Sequence, residues 1–260
     1  MNTKIIFFDI DGTILSHTTN KISDNTKSAI KQAQANGHLA FINTGRTIGE
    51  IEKDITDLGF DGYVCGCGTF ISYKDSILHQ DTIPYATIQE LIIDLRNYKI
   101  EAILEGSTAI YYDDLATNPQ VKKIKGEQSL TFDVKNWEAT DISVDKFCIW
   151  TKSKEAYLSF YEKYKHSFDF IARSENFSEV IPIGYSKKTG IQFLLNHLNI
   201  PQENTYALGD STNDLTMLQC VKHSIAMGNA CKEILELVSY VTDDVDHDGI
   251  SNALKHFNII

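Results

Sequence analysis

Two carboxylates stand two positions apart near the start of the chain, in the segment IIFFDIDGT. Asp9 and Asp11 follow a run of four large apolar residues and precede Gly12. In extended backbone, side chains two residues apart point to the same side, about 6.6 Å apart. Carboxylates so placed repel each other unless a cation lies near them, and a hard divalent ion such as Mg²⁺ suits these donors. The pair therefore indicates a metal-assisted site at the end of a buried strand. A solvated strand end with an ordinary Asp-Gly turn is the structural alternative.

Two further polar clusters follow predicted strands. Thr44-Gly45-Arg46 follows a predicted strand at 39–42, and the sequence GDSTND at 209–214 follows another at 205–208. Taken singly, each hydroxyl or carboxylate here could be a helix N-cap. Because ligands of open α/β sheets bind at the carboxyl ends of the parallel strands, we expect the three clusters to converge in one crevice.

The order of predicted elements indicates two domains. Strand and helix patterns alternate over the first 80 residues and again after residue 184, which is typical of a parallel sheet covered on both faces. Within the first stretch, isoleucines at 48, 51 and 55 with Leu58 predict one helix that ends at Gly59. The middle of the chain shows a mixed α+β pattern of about 100 residues, enough for its own core. We therefore expect an α/β protein with residues 1–82 and 184–260 in one domain and 83–183 inserted as a second.

Composition narrows the classes of partner. The 260 residues carry a net charge of −11 without a run of lysines and arginines, which disfavours nucleic acid or an anionic membrane surface. A small phosphorylated ligand remains compatible with this charge. No apolar run approaches the ~20 residues of a membrane helix, and no leader pattern is present. Five cysteines, an odd number, predict free thiols in a reducing compartment, so we expect a cytoplasmic protein. The sequence makes no prediction of the oligomeric state.

Together these motifs resemble the haloacid dehalogenase (HAD) superfamily of phosphohydrolases, and within it the Cof-type sugar-phosphatase-like branch. The similarity covers both ends of the chain, with the motifs in the family's order. The matching segments are DxDGT at 9–13, Thr44 in TGR, Lys187 in GYSK, GDxxND at 209–214, AMGNA at 226–230 and DGI at 248–250. The resemblance implies a Rossmann-like core with residues 83–183 as an inserted cap domain.

The resemblance also implies a function: Mg²⁺-dependent hydrolysis of phosphomonoesters of small metabolites, such as sugar phosphates, through an aspartyl-phosphate. Asp9 would be the nucleophile and Asp11 the general acid and then base. The metal would be held by the side chains of Asp9 and Asp210 and by the backbone carbonyl of Asp11. Asp214 would either bind the metal directly or hold one of these ligands in place. Two alternatives stay open: a phosphotransferase or phosphomutase on the same scaffold, and a regulator that binds phosphometabolites without turnover.

The resemblance further implies how the phosphoryl group is held. Lys188 competes with Lys187 for the lysine role, and the register of GYSK favours Lys187. Arg46 is a candidate substrate-binding residue. The groups expected to contact the phosphoryl oxygens are Thr44, the Gly45 amide, Lys187 and Asn213.

Two segments depart from the expected pattern or imitate another one. Where the Cof-type branch usually has Asn-Gly-Ala, this chain has Cys67-Gly68-Thr69, which removes an asparagine contact. Cys65 and Cys67 fall short of the four ligands of a structural zinc, so we interpret them as ordinary thiols.

The sequence DVDHDG at 244–249 imitates the start of an EF-hand loop, but Lys255 occupies the position that requires a glutamate. We interpret it as a surface turn.

Overall fold

The computed structural model describes residues 3–260, which form two compact units. The first comprises the chain up to Gly45 together with Lys53–His79 and Ser186–Ile260, and the second comprises Arg46–Glu52 and Gln80–Tyr185. The segment Arg46–Glu52 thus groups with the second unit, although it lies outside the range 83–183. The predicted domain limits themselves stay a prediction. No helix within residues 3–260 is long and apolar enough to cross a membrane.

The elements are numbered along the chain. The strands are β1 (Ile5–Phe8), β2 (Leu39–Asn43), β3 (Gly62–Cys65), β4 (Phe70–Tyr73), β5 (Ser76–Gln80), β6 (Glu101–Glu105), β7 (Ile110–Tyr112), β8 (Val134–Asn136), β9 (Lys146–Trp150), β10 (Phe168–Ser174), β11 (Phe177–Pro182), β12 (Thr205–Gly209), β13 (His223–Ala226) and β14 (Tyr240–Val241). The α-helices are α1 (Asp24–Ala35), α2 (Lys53–Thr56), α3 (Tyr85–Asn97), α4 (Pro119–Gln128), α5 (Lys154–Tyr164), α6 (Lys187–Leu198), α7 (Leu215–Leu218), α8 (Lys232–Leu235) and α9 (Gly249–His256).

The sheet of the first unit confirms the predicted α/β class. Its eight strands run in the order β14-β13-β12-β1-β2-β3-β4-β5. Pairing is parallel from β14 to β3, and β3 pairs antiparallel with β4. All four residues of β1 have no exposed surface, because this strand lies at the centre of the sheet with both faces covered. The carboxyl ends of β1, β2 and β12 therefore share one edge of the sheet.

Local sequence signals set the limits of α1. Ser23 is its N-cap, and the Ser23 side chain accepts a hydrogen bond from the Thr26 backbone N–H. The helix stops before Gly37, whose φ of 86° lies in the left-handed region that glycine adopts without strain.

The single helix predicted from residue 48 to Leu58 is wrong. The chain instead forms a 3₁₀ turn, Ile48–Glu50, then an extended residue at Ile51, and only then α2. Glu50 accepts hydrogen bonds from the backbone N–H and hydroxyl of Thr47 and from the Gln128 side chain. These contacts fix the segment as part of the second unit, so tertiary hydrogen bonding overrides the apolar periodicity.

The second unit has a sheet in the order β10-β11-β9-β6-β7-β8. Apolar residues of α3 and α5 pack on one face in a cluster that includes Leu91, Phe147 and Phe160. The opposite face packs against α4 through a smaller cluster that includes Val121 and Trp150. Sequence analysis missed α4 because Val121 is its only buried residue, which leaves almost no apolar periodicity to detect.

A buried group of charges lies on the second unit's sheet. The ammonium of Lys146 is 2.6 Å from a Glu105 carboxylate oxygen and 2.8 Å from one of Glu179. Arg173 forms a further ion pair with Glu179. Lys146, Glu105 and Glu179 are each less than one-tenth exposed. Buried charges of this kind are tolerated only when they are paired, so these side chains depend on one another.

Candidate active site

The turn after β1 positions the first aspartate. The Asp9 backbone N–H donates to the Leu208 carbonyl at 3.1 Å, which extends the pairing of β1 with β12 by one residue. Asp9 is buried, with 3% of its surface exposed. Gly12 then turns the chain with a φ of 75°. A Cβ at Gly12 would lie 2.2 Å from Asp210 Oδ2, so both the backbone conformation and the close approach of Asp210 require glycine.

The segment after β12 supports the last aspartate by hydrogen bonds. Asp214 Oδ2 accepts the backbone N–H groups of Asp210 (2.9 Å) and Ser211 (3.1 Å). Ser211 and Asp214 also form a capping box at the start of the next turn. Asp214 has no exposed surface. Its carboxylate therefore shapes the loop that presents Asp210.

Lys187 links the two aspartates. Its ammonium lies 2.6 Å from Asp9 Oδ1 and 2.5 Å from Asp214 Oδ1, and the side chain is only 2% exposed. It is the first residue of α6, where Ser186 provides the N-cap, and the Asn43 side chain donates to its backbone carbonyl at 3.0 Å. Lys188 is exposed. The geometry thus places Lys187 at the site and Lys188 outside it.

The charges in this site do not balance. The carboxylates of Asp9 and Asp214 contact the Lys187 ammonium, and a carboxylate oxygen of Asp210 lies within 4.8 Å of oxygens of both. Burial raises the pKa of Asp9 to about 8 and the charge of Asp214 acts in the same direction, while Lys187 opposes both. Burial and Asp214 likewise raise the pKa of Asp210 to about 6. Burial alone would lower the pKa of Lys187, but Asp214 and Asp9 outweigh it and raise that pKa. The site therefore holds excess negative charge that a further cation would neutralise.

The donor set fits a hard divalent cation. Asp9, Asp210 and Asp214 each offer a carboxylate oxygen, and the three atoms lie within 4.8 Å of one another. Both oxygens of Asp214 already accept hydrogen bonds, from Lys187 and from two backbone N–H groups. Asp9 and Asp210 are consequently better placed to bind an ion directly, with Asp214 acting through Lys187 and the loop.

The other residues predicted at this edge of the sheet occupy several environments. Thr44 is buried directly after β2, and its backbone N–H donates to the Val64 carbonyl at 2.9 Å. Asn213 is half-buried and hydrogen-bonds the Ser211 hydroxyl. Arg46 belongs to the second unit, where its guanidinium pairs with Glu52 at 2.5 Å. Asp11 is half-buried.

The two segments set aside in the sequence have ordinary structural roles. None of the five cysteines forms a disulfide in the part of the chain that the structure describes, and Cys65 and Cys67 are buried. Asp244 accepts hydrogen bonds from the Asp246 backbone N–H and from His247 Nδ1, both at 2.8 Å, in the turn before α9. The surface-turn interpretation is thus confirmed.

Two residues near the site were not selected from the sequence. The Asn229 side chain donates to the Gly12 carbonyl at 2.8 Å and accepts from the Val245 backbone N–H at 2.9 Å, so it ties the turn after β1 to the segment before α9. His17 places Nε2 beside Gly12. Asn229 lies in the AMGNA segment, which could have drawn attention to it, whereas nothing in the sequence marks His17.

Comparison with known proteins identifies the family. The sequence profile of the haloacid dehalogenase-like hydrolases matches residues 6–254. The chain belongs to this family. It is 30% identical to the Bacillus subtilis (strain 168) protein YkrA over 265 residues that cover all of both chains. Among solved structures, it resembles the HAD phosphatase BT1666 from Bacteroides thetaiotaomicron, with 26% identity, a TM-score of 0.85 and coverage of 100% of this chain and 96% of that one.

A second solved structure points to the same branch. The HAD subclass IIB sugar phosphatase BT4131 is 28% identical, with a TM-score of 0.83 and coverage of 99% of this chain and 100% of that one. These similarities confirm the HAD-like fold, the Cof-type resemblance and a phosphatase activity. A phosphatase activity disfavours the alternative of a regulator that binds phosphometabolites without turnover.

Proposed function

We propose that this HAD phosphatase hydrolyses monophosphate esters of small metabolites, such as sugar phosphates, through a phosphorylated Asp9 and with Mg²⁺. The observation that carries the proposal is the arrangement of Asp9: a buried carboxylate at the end of a central strand, with the Lys187 ammonium at 2.6 Å and the Asp210 carboxylate close by. The name of BT4131 as a sugar phosphatase supports the substrate class. The net charge of −11 also supports this substrate class, because the sequence has no run of lysines and arginines that would bind nucleic acid.

The first half of the reaction transfers the phosphoryl group to the protein. An Asp9 carboxylate oxygen forms a bond to phosphorus while the bond from phosphorus to the leaving oxygen breaks. Asp11 donates a proton to that oxygen, so the alcohol leaves neutral. Thr44, the Gly45 amide, Asn213 and Lys187 hold the phosphoryl oxygens and stabilise their negative charge.

The second half regenerates the enzyme. Asp11, now ionised, accepts a proton from a water molecule whose oxygen attacks phosphorus, and the bond from phosphorus to Asp9 breaks. Inorganic phosphate is released and Asp9 is again a carboxylate. Mg²⁺ held by Asp9, Asp210 and the Asp11 carbonyl would neutralise charge on the phosphoryl group. Asp214 would keep Lys187 and the Asp210 loop in place.

We assign the cap role to the second unit, with Arg46 as a candidate contact for the substrate. In this role the unit would exclude water from the site and select the leaving group. Arg46 directly follows Gly45 in the chain, which connects this candidate contact to the phosphate-binding segment.

The nucleophile can be tested by substitution and by trapping. Asp9→Asn should lower phosphate release from a panel of monophosphate esters by at least about three orders of magnitude, because the amide cannot form the intermediate. Asp24→Asn is the matched control, since that side chain is 97% exposed on α1 and should leave activity unchanged. Mass spectrometry of acid-quenched wild-type enzyme should find one phosphoryl group on the peptide that contains Asp9. Substantial hydrolysis by Asp9→Asn would exclude this mechanism.

The panel also separates hydrolase from phosphotransferase. A hydrolase releases inorganic phosphate in water alone, whereas a transferase or mutase releases little until an acceptor hydroxyl compound is added. We expect release without an acceptor.

A further inference from the structure

Asn43 is an unusual residue for its position. It ends β2, which pairs with the central strand β1, and it has no exposed surface. Asparagine is depleted in strands and is seldom fully buried, because its amide must find hydrogen-bond partners away from water. Among residues 3–260, Asn43 Oδ1 has no hydrogen-bond partner. The N–H side of the amide is therefore the part whose contact can account for an asparagine here.

That contact is made to Lys187. Asn43 Nδ2 donates to the Lys187 backbone carbonyl at 3.0 Å, in a buried hydrogen bond between residues 144 positions apart. The bond joins the end of β2 to the first residue of α6 within the first unit. It holds the backbone from which the Lys187 side chain extends to Asp9 and Asp214. Because this side chain is only 2% exposed and closely packed, a shift of the backbone would displace the ammonium from both carboxylates.

A second contact holds the start of α6 at the same end of β2. A Cβ built on Gly68 would lie 2.8 Å from the Ser186 carbonyl oxygen, so the turn after β3 packs directly against the N-cap of α6. In that turn, the Cys67 backbone N–H donates to the Thr44 carbonyl at 3.2 Å. The end of β2 is thus connected to α6 both through the Asn43 side chain and through the turn that is bonded to Thr44.

We propose that Asn43 is a positioning residue of the active site. By tying the start of α6 to the end of β2, its amide holds the Lys187 ammonium at a fixed separation from Thr44, the next residue along the chain. The inference rests on the proposed function, in which Lys187 and Thr44 contact the same phosphoryl group. Displacing a group that takes part in the reaction by about 1 Å can lower a rate by on the order of 100-fold, so a side chain that acts only through Lys187 can control turnover.

Steady-state kinetics on the monophosphate ester that the wild type hydrolyses fastest tests this role. Asn43→Ala should lower kcat by about tenfold or more while KM changes less, because a misplaced ammonium stabilises the transition state less. Asn36→Ala is the matched control. It removes a hydrogen bond of the same kind in the first unit, from Asn36 Nδ2 to the Ile259 carbonyl at 2.7 Å, and should leave kcat unchanged. Asn43→Leu keeps the branched shape without the N–H donor, so an equal loss of kcat there would exclude a cavity as the cause.

The Lys187 ammonium can also be observed directly. In ¹⁵N-labelled protein, NMR should detect the Lys187 Nζ signal, because a buried ammonium bonded to two carboxylates exchanges its protons slowly with water. The Lys187→Met variant identifies this signal by its loss. Asn43→Ala should shift the signal, and Asn36→Ala should leave it in place.

The outcomes separate this inference from the proposed function. If the wild type hydrolyses no ester of the panel, the proposed function is overturned, and the NMR signal alone decides on Asn43: a shift in Asn43→Ala supports positioning and an unchanged signal overturns it. If the wild type turns over but Asn43→Ala keeps its kcat or its Lys187 signal, the role of Asn43 is overturned while the proposed function stands. Loss of kcat with a shifted signal, in Asn43→Ala and not in Asn36→Ala, supports the positioning role.

Discussion

The Lys187 ammonium lies 2.6 Å from Asp9 Oδ1 and is almost completely buried beside it. One lysine therefore serves two purposes: it orients the proposed nucleophile, and it offsets part of the negative charge that three clustered aspartates create. A buried ammonium with two carboxylate partners is costly to remove, because both partners would lose their counterion in a site of low polarity.

Lys187→Met should consequently lower both stability and activity. We expect the free energy of unfolding to fall by about 3–5 kcal/mol, since Asp9 and Asp214 lose their shared cation. Urea denaturation followed by circular dichroism would measure this loss, and phosphate release would measure activity. Lys188→Met is the matched control on the same helix, because Lys188 is exposed. Equal effects of the two substitutions would contradict the position of Lys187 in the site.

The two aspartates after β12 should differ in their effect on metal binding. Asp210→Asn should weaken Mg²⁺ binding strongly, because Asp210 has a carboxylate directed to the site. Asp214→Asn should mainly lower stability, because an amide cannot accept hydrogen bonds on both sides, from the backbone N–H groups and from Lys187. Calorimetric Mg²⁺ titrations would compare the two variants. Stronger loss of Mg²⁺ binding in Asp214→Asn would assign the direct ligand role to Asp214 instead.

Asn229 should prove a positioning residue for the turn after β1. Asn229→Ala removes hydrogen bonds to the Gly12 carbonyl and the Val245 N–H, so the turn that carries Asp11 loses a support. We expect kcat to fall about tenfold or more while KM changes less, with a stability loss of about 1–2 kcal/mol. Asn25→Ala removes one exposed hydrogen bond to Asp248 and serves as the control. A change in KM alone would argue against a role in aligning the reacting groups.

The site residues at the carboxyl ends of the parallel strands in the first unit were predicted from the sequence more completely than the loops. DxDGT and GDxxND were predicted as site segments because polar clusters after parallel strands meet at one edge of the sheet, whereas Lys187 was predicted from the family resemblance. The break at Ile51 was not predictable, because it depends on Glu50 meeting Gln128, 78 residues away. His17 was missed for a similar reason: its approach to Asp210 depends on how a turn folds back, which no local spacing records. The helix α4 left almost no signal because it buries one residue.

Glu105, in the second unit, offers a test of pH dependence. Burial raises the pKa of Glu105 to about 7; Lys146 opposes this shift, and the charges of Glu50 and Glu179 add to it. The folded protein therefore holds this proton more tightly than the unfolded chain, whose glutamate has its ordinary pKa of 4.5. The resulting contribution to stability is fully present below about pH 4.5 and is lost as pH rises through about 7.

Glu105→Gln should remove this dependence, because the amide has no proton to release. The free energy of unfolding of the variant relative to wild type should rise by on the order of 1–3 kcal/mol between pH 4.5 and pH 8. Urea denaturation at several pH values would measure the difference, which cancels groups that titrate identically in both proteins. The exposed Glu203→Gln is the control and should give a curve parallel to wild type. If Glu105→Gln also runs parallel to wild type, Glu105 is ionised in the folded protein across this range, and Lys146 stabilises its charge more than burial opposes it.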